Sequence, residues 1–175
     1  MEAIAAMSPS SLQVMTDLIN DANRARPRIF PGDRLAENTI QDDYRDCVAI
    51  FAEGPTQLVA CVLVKPIESA LWLYLLAVSA RLQGQGLGRQ TILAAGRFAQ
   101  DASLARLELE AVDSGGLVPY YRKLGFEEAT RTLKPAGHWH SSTPFELVKM
   151  TRPVLPNPAN AYPADDPLQE LANQP

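Results

Sequence analysis

The spacing of apolar residues divides the chain into helix-like and strand-like segments. Apolar positions between residues 12 and 19 recur three or four residues apart, which predicts an amphipathic helix near the amino terminus. Three strand-like runs follow at 46–54, 57–67 and 69–78, and the last of them is almost continuously apolar. Because such a run is typical of a strand buried on both faces, we expect it at the centre of a sheet.

The second half of the chain continues this succession of helix and strand patterns. An amphipathic helix is predicted over 88–102, and the alternation of apolar and acidic residues over 105–112 predicts a strand. A short helix within 116–125 is ended by a glycine. Two further strand patterns lie at 127–134 and 145–152.

Size and composition indicate one globular domain without a strongly charged partner. The 175 residues suit a single domain, which we place at 1–154, and the Pro-rich segment 155–175 is predicted to be a mobile or surface-draped tail. A net charge of −4, from 16 basic and 20 acidic residues, gives no reason to expect nucleic acid or an anionic membrane as partner. The sequence shows no secretion signal, membrane-length apolar run or metal-ligand spacing, so we expect a cytoplasmic protein without a metal.

Three glycines separate the third strand-like run from the following helix, in the segment SARLQGQGLGRQTI at 79–92. Glycines at such a junction let backbone N–H groups approach an anion, and a helix N-terminus favours negative charge, so a phosphate group is the expected ligand. The spacing excludes a nucleotide P-loop, because no lysine follows the glycines. A dinucleotide fingerprint is disfavoured, because Arg89 and Thr91 stand where its third glycine would be required.

The same segment is similar to the Q/R-x-x-G-x-G/A motif of the GNAT superfamily of N-acetyltransferases. Gln83, Gly86 and Gly88 take the three motif positions, and a start at Arg81 also fits the letters. We prefer the first register because it puts the preceding strand and the following helix at the usual distances. A second motif, YYRKLGF at 120–126, resembles the family's fourth helix and the turn that follows it.

The resemblance implies both a fold and a reaction. The fold would be a mixed α/β sheet of six to seven strands, twisted and splayed between the fourth and fifth strands, with about four helices. The protein would be an N-acetyltransferase that uses acetyl-CoA as co-substrate and acylates an amine-bearing small molecule or peptide, with a homodimer as an open option. The alternative is a CoA-binding or sensory domain without turnover.

The two motifs imply a set of cofactor-binding residues. The CoA pyrophosphate would lie on backbone N–H groups of the glycine segment, where a side chain added at Gly86 or Gly88 would occupy its position. Ser114 stands where many members carry asparagine, and its hydroxyl can still make a hydrogen bond. The full set is Leu76, Ala77, Val78, Gln83, Gly84, Gln85, Gly86, Leu87, Gly88, Arg89, Ser114 and Tyr121.

The resemblance also suggests which groups take part in the chemistry. Tyr121 aligns with the tyrosine that many relatives place beside the thioester sulfur, so it is the candidate general acid, with core packing as its alternative role. Tyr120 is expected on a different face of the helix. A backbone N–H at 76–77 is the candidate oxyanion donor. Glu108 and Glu110 are candidate bases, and the alternative for each is a solvated or salt-bridged strand residue.

Opposing charge clusters leave the acceptor open. An acidic cluster would draw in a cationic amine, whereas a basic cluster would favour a carboxylate-bearing acceptor. The acidic cluster is Glu37, Asp42, Asp43 and Asp46, and the basic cluster is Arg24, Arg26 and Arg28. His138 and His140 flank Trp139 in a loop that borders the acceptor site or a subunit contact in relatives, although an ordinary surface loop explains them as well.

Overall fold

The computed structural model describes residues 1–24, 33–36, 38–54 and 57–155, without the side chain of His140. Of the predicted tail, only Leu155 is described, and 156–175 lie outside the described residues. The helices within the described residues are α1 (Pro9–Arg24), α2 (Thr39–Asp43), α3 (Leu87–Asp101) and α4 (Leu117–Lys123). The strands are β1 (Glu2–Ala3), β2 (Val48–Glu53), β3 (Leu58–Ile67), β4 (Ala70–Val78), β5 (Arg106–Val112), β6 (Glu127–Lys134) and β7 (Phe145–Pro153).

The strands form one mixed sheet in the order β1-β2-β3-β4-β5-β7-β6. Every neighbouring pair is antiparallel except β4 and β5, which are parallel. Their pairing covers only Ala70–Leu73 against Arg106–Leu109, and beyond these residues the two strands separate. The predicted seven-stranded α/β sheet with its splay between the fourth and fifth strands is therefore confirmed.

Strand β4 carries a bulge just where it leaves β5. Against β3, Tyr74 pairs with Leu63 and Ala77 pairs with Cys61, so two residues of β4 oppose one residue of β3. Leu75, inside the bulge, has a φ of 53°, a left-handed value that is costly for a residue with a side chain. Strain of this kind persists only where the surrounding structure holds it, and it clusters at functional sites.

Apolar side chains cover both faces of the sheet. On one face, α3 and α4 pack against residues such as Leu73 and Leu107. On the other face, α1 and α2 pack against Leu63 and its neighbours, and this cluster includes the two unbonded cysteines, Cys47 and Cys61. Burial raises the pKa of the Cys61 thiol to about 12, so this cysteine packs as an apolar residue.

Candidate active site

A cleft begins where β4 and β5 separate. Its β4 wall runs from Tyr74 to Val78, and its β5 wall begins at Glu110. The predicted cofactor residues Leu76, Ala77 and Val78 all belong to the first wall, where Ala77 is buried and the other two are half-buried. The bulge interrupts the pairing with β3 at Leu75 and Leu76, next to the place where a backbone oxyanion donor is predicted.

A glycine turn, residues 83–88, joins the end of this wall to α3. Gly84 and Gly86 have φ of 79° and 85°, and a Cβ added at either one would meet no described atom within 4 Å. Both positions therefore require glycine for the backbone and face open space. The side-chain amide of Gln83 donates to the carbonyl of Val78 at 3.2 Å, which ties the turn to β4. The first N–H groups of α3 have no carbonyl partner within the helix, so this end can receive an anion.

Gly88 is small for a different reason. A Cβ added there would lie 2.5 Å from the hydroxyl oxygen of Tyr120 and 3.5 Å from Cγ2 of Val78. The expectation that a side chain at position 88 would occupy the pyrophosphate position stays a prediction, and the structure adds the Tyr120 hydroxyl as a second neighbour of that position.

The other predicted cofactor residues lie around the turn and at the far end of the β5 wall. Gln85 and Arg89 are exposed, and Leu87 is half-buried at the start of α3. Ser114 is half-buried, and its N–H donates to the carbonyl of Val112 at 2.8 Å, which turns the chain directly after the end of β5. The predicted residues thus follow the ends of the two strands that separate, β4 and β5.

Tyr121 is fixed by the way α4 ends. Gly125, at φ 83°, donates its N–H to the carbonyl of Arg122 at 3.0 Å, and Phe126 donates to the carbonyl of Tyr121 at 3.1 Å. This is a Schellman motif, in which a residue beyond the glycine packs back on the last helical turn. The packing pair is Phe126 with Tyr121, whose ring centroids lie 5.7 Å apart. The YYRKLGF motif is therefore explained by the helix end, which needs the glycine for its turn and the phenylalanine to pack on Tyr121. This packing leaves Tyr121 only 8% exposed.

Tyr120 contacts two of the predicted site residues, and sequence reasoning missed these contacts. Its ring meets that of Tyr121 edge to face, with centroids 5.2 Å apart, and its hydroxyl reaches the first turn of α3 beside Gly88. A signal was available in the sequence, because a glycine inside a predicted helix without a turn to make often marks a close approach by another group.

Glu108 is held between two cations. It is 5% exposed, and its oxygens accept from Nε of Arg106 at 2.7 Å and Nζ of Lys149 at 3.0 Å. Burial alone would raise the pKa of this carboxyl, but the hydrogen bonds and charges of Arg106 and Lys149 outweigh it and hold the pKa below its usual value. These contacts match the salt-bridged alternative for Glu108 and make it a weak proton acceptor.

Glu110 is instead the first residue of β5 beyond its pairing with β4. Its side chain is exposed and forms no ion pair with any other part of the chain that the structure describes. It lies near Tyr74, whose pKa is raised chiefly by burial and further by Cys47, Tyr44 and Glu110. The rings of Tyr44 and Tyr74 meet at 5.7 Å. Glu110, Tyr44 and Tyr74 therefore form one group on the α1 side of the cleft.

Residues 13–126, more than half of the chain, match the family model described as acetyltransferase (GNAT) family. The chain belongs to the GNAT acetyltransferase family. The resemblance carried by the glycine turn and by YYRKLGF is thereby confirmed at the level of the family. A comparison with curated protein sequences gave no match.

Solved structures share this GNAT fold at low sequence identity. The ribosomal-protein-S18-alanine N-acetyltransferase from Escherichia coli has a TM-score of 0.69 at 21% identity, over 89% of this chain and 96% of that chain. The ribosomal-protein-alanine N-acetyltransferase from Brucella melitensis has a TM-score of 0.63 at 19% identity, over 85% and 97%. A GNAT family acetyltransferase from Elizabethkingia anophelis, solved with acetyl-CoA bound, has a TM-score of 0.56 at 15% identity, over 67% and 83%.

The α1 side of the cleft in this GNAT protein carries a second aromatic group. Trp139 and Phe145 stack with centroids 5.9 Å apart, and the guanidinium of Arg34 lies 5.2 Å from the centre of the Trp139 ring. Burial raises the pKa of Tyr44, and the nearby charge of Arg34 opposes that rise. Arg34 thus connects the group around Tyr74 to the loop before β7, and the sequence offered no signal for this contact.

The predicted charge clusters are partly paired. Arg24 bonds Asp33 at 2.6 Å, and Asp46 bonds Lys65 at 3.3 Å. Asp42 and Asp43 are exposed on α2. Arg26, Arg28 and Glu37 lie outside the described residues, as does the side chain of His140. Across the described ranges, no group of three or more His, Cys, Asp or Glu side chains is placed to hold a metal ion. None of the described helices has the length and apolar character needed to cross a membrane.

Proposed function

We propose that this chain is an acyl-CoA-dependent N-acyltransferase that transfers an acetyl group from acetyl-CoA to a primary amine by direct attack in a ternary complex. The observation that carries the proposal is the separation of β4 from β5 at a strained bulge, next to a glycine turn that faces open space. Membership of the GNAT family supports acyl transfer, and the Elizabethkingia anophelis neighbour was solved with acetyl-CoA.

In this proposal the donor lies along the β4 wall with its pyrophosphate at the glycine turn. Backbone N–H groups of 84–89 would donate charge-assisted hydrogen bonds to the phosphate oxygens, and Arg89 would add a positive charge. The open space beside Gly84 and Gly86 supports this placement. Leu76, Val78 and Ser114 would then contact the pantetheine arm between the separated strands.

The reaction needs a neutral amine, a donor for the oxyanion and a proton for the leaving thiolate. The amine nitrogen attacks the thioester carbon, and the new C–N bond pushes an electron pair onto the carbonyl oxygen. A backbone N–H near Leu76, beside the bulge, would stabilise that oxyanion. The C–S bond then breaks, Tyr121 gives its hydroxyl proton to the thiolate, and the proton lost by nitrogen passes to Glu110.

Glu110 is preferred to Glu108 as the proton acceptor because of their contacts. Both oxygens of Glu108 already accept from Arg106 and Lys149, whereas Glu110 is exposed at the mouth of the cleft. A carboxylate there also attracts the ammonium form of the acceptor, since a free alkyl amine has a pKa of about 10. The acceptor would therefore approach from the α1 side, between Tyr74 and the Arg34–Trp139 contact.

Two alternatives define the test. A CoA-binding domain without turnover would bind acetyl-CoA but release no CoA, and the retention of Tyr121 beside the cleft favours an enzyme over it. A dinucleotide-binding protein would be stabilised by NAD, because a ligand that binds only the native state raises stability. We expect acetyl-CoA to raise the melting temperature and NAD to leave it unchanged.

The deciding experiment is turnover with a panel of primary amines, including polyamines, amino acids and peptides with free amino termini. Thiol release measured with a colorimetric reagent should match the amount of acetylated amine found by mass spectrometry. Binding of acetyl-CoA without either product would favour the non-catalytic alternative. A thermal shift with NAD and none with CoA would overturn the proposal.

Several sequence predictions remain predictions. They are a domain at 1–154 followed by a tail at 155–175, a cytoplasmic location and a homodimer. The acceptor, as an amine-bearing small molecule or peptide, belongs with them.

A further inference from the structure

Tyr120 joins three parts of the candidate site. Its hydroxyl lies against the first turn of α3 at Gly88, a position that also adjoins Val78 at the end of the β4 wall, and its ring meets that of Tyr121 edge to face. Gly88 and Val78 belong to the predicted donor site, and Tyr121 is the candidate acid. One side chain therefore spans the space between the group that would hold the pyrophosphate and the group that would protonate the thiolate.

The contact explains why residue 88 is a glycine. Gly88 has no left-handed backbone, unlike Gly84 and Gly86, so its backbone does not require glycine. A Cβ at position 88 would lie 2.5 Å from the Tyr120 oxygen, a separation that Cβ atoms in proteins essentially never show, while the nearest ring carbon of Tyr120 would be 3.6 Å away. Only the hydroxyl oxygen of Tyr120 therefore stands in the way of an alanine.

The neighbours of Tyr121 show how the contact would reach the reaction. Helix α4 has only seven residues, and the far side of Tyr121 is fixed by Phe126 through the Schellman turn. On its near side, Tyr121 meets Tyr120 at 5.2 Å. A shift of Tyr120 away from Gly88 would therefore turn α4 and move the Tyr121 hydroxyl, and small misplacements of a reacting group are costly in rate.

We propose that Tyr120 is a positioning residue, whose hydroxyl seats α4 on the first turn of α3 at Gly88 and so sets the distance from the pyrophosphate turn to Tyr121. This role rests on the proposed acyl transfer. It predicts that the Gly88→Ala change harms the chemical step through Tyr120 and that removing the Tyr120 hydroxyl repairs the harm.

The test is a double-mutant cycle of Gly88→Ala and Tyr120→Phe, with kcat measured at saturating acetyl-CoA and the Kd for CoA measured by calorimetry. Gly88→Ala should lower kcat by roughly 10- to 100-fold, since misplacement of about 1 Å can cost about 100-fold. Tyr120→Phe should lose only a few-fold. The double variant should match Tyr120→Phe, which is strong non-additivity for residues in contact. Any loss of CoA affinity in Gly88→Ala should be restored in the double variant as well, because Gly84 and Gly86 keep their open space.

Two matched variants separate this role from general damage to α3. Gly96→Ala places the same methyl group in the same helix, where its Cβ would lie 3.1 Å from the end of the flexible Arg152 side chain, and it should keep kcat. Gly88→Ala combined with Tyr121→Phe should show no rescue.

Each outcome is decisive. Full activity of Gly88→Ala, or a double variant no better than Gly88→Ala alone, would overturn the positioning role. A large loss of CoA affinity in Gly88→Ala that Tyr120→Phe does not repair would show that residue 88 must be a glycine to leave room for the ligand, and not for the Tyr120 hydroxyl. A parent protein that acetylates no amine would refute the proposed function itself, and the positioning role with it.

Discussion

In the closed half of the β4–β5 interface the two strands are paired, whereas in the open half, beyond Leu73 and Leu109, no pairing between them is present among the described residues. The closed half pairs Ala70–Leu73 with Arg106–Leu109. Glu108 lies there, buried and bonded to the side chain of Arg106 on its own strand and to Lys149 on β7. This half has no room for a ligand, and its polar group is satisfied.

The open half starts one residue later and differs in each respect. Strand β4 bulges at Leu75, pairing with β5 stops, and Glu110 is exposed near Tyr74. Glu108 and Glu110 share a face of one strand, yet the first is buried in ion pairs and the second is exposed. The comparison teaches that two residues of the same type on one strand differ in environment according to where pairing with β4 ends, and the proposed roles follow from that difference.

The largest expected effect comes from removing the hydroxyl of Tyr121, the candidate acid of the open half. Tyr121→Phe keeps the ring and its contact with Phe126 but removes the hydroxyl, so kcat should fall by roughly 10²- to 10⁴-fold, the usual worth of general acid catalysis. Affinity for CoA should change little, because the hydroxyl acts as charge develops on sulfur. Steady-state kinetics of Tyr121→Phe and Tyr120→Phe check this. An equal loss in both variants would move the acid role away from Tyr121.

The same substitution at Glu110 and at Glu108 compares the proposed base with a salt-bridged residue of the same strand. Glu110→Gln should lower kcat by about 10²-fold, the lower end of the worth of general base catalysis, because it removes the proton acceptor at the cleft. Glu108→Gln should leave kcat within a few-fold of the parent. Rates of both variants, measured with the best amine of the panel across pH, give the comparison. Equal rates for Glu110→Gln and the parent would leave water as the base.

The glycine turn tests the donor side of the open half. Gly86→Asp should weaken CoA binding by at least about 10-fold, or about 1.4 kcal/mol, because a carboxylate would enter the space proposed for the pyrophosphate. Gly137→Asp is the control for backbone strain, since Gly137 also has a left-handed φ, of 89°, and open space around it. Calorimetric titration with CoA compares the two. Unchanged affinity in a folded Gly86→Asp protein would refute this register of the motif.

The smallest effect concerns stability in the closed half. Glu108→Gln should lower the free energy of unfolding at pH 7 by about 1–3 kcal/mol, which is the cost of losing hydrogen bonds to a charged group. The partial exposure of Arg106 and Lys149 reduces this loss of stability, because solvent screens their charges. The folded-state pKa of Glu108 is depressed, so its contribution is present above the unfolded-state value of about 4.3 and is lost as pH falls through the lower folded-state pKa.

Urea unfolding of the parent and Glu108→Gln at pH 7 and at pH 3 measures that contribution. The difference between the two proteins should shrink at the lower pH. A difference that stays constant over this range would show that packing, and not the charge of Glu108, accounts for it.

Much of the fold and part of the site follow from local sequence. The glycine turn and the Schellman motif at Gly125 depend on residues adjacent in the chain, so the residue types in the sequence are enough to predict them. The order of helix and strand patterns predicts the strands, and the family's pattern predicts where they splay. The same two motifs name Tyr121 as the candidate acid, which stays a prediction.

Other features depend on contacts that the sequence pattern does not encode. The bulge at Leu75 lies in a continuous apolar run without glycine or proline, so no local signal marks it. Alternation puts Glu108 and Glu110 on the same side of β5 and cannot tell where pairing with β4 stops. The contact of Tyr120 with Gly88 joins two helices that are separated by a strand.

Hydrogen–deuterium exchange with and without acetyl-CoA tests the central claim most directly, because it locates the ligand on the chain. The account predicts slower exchange in the open half, over 75–90 and 110–121, and no change over 70–73 and 106–109, which are already paired. Acetyl-CoA binding with protection confined to other segments, or with no protection at the glycine turn, would contradict the account.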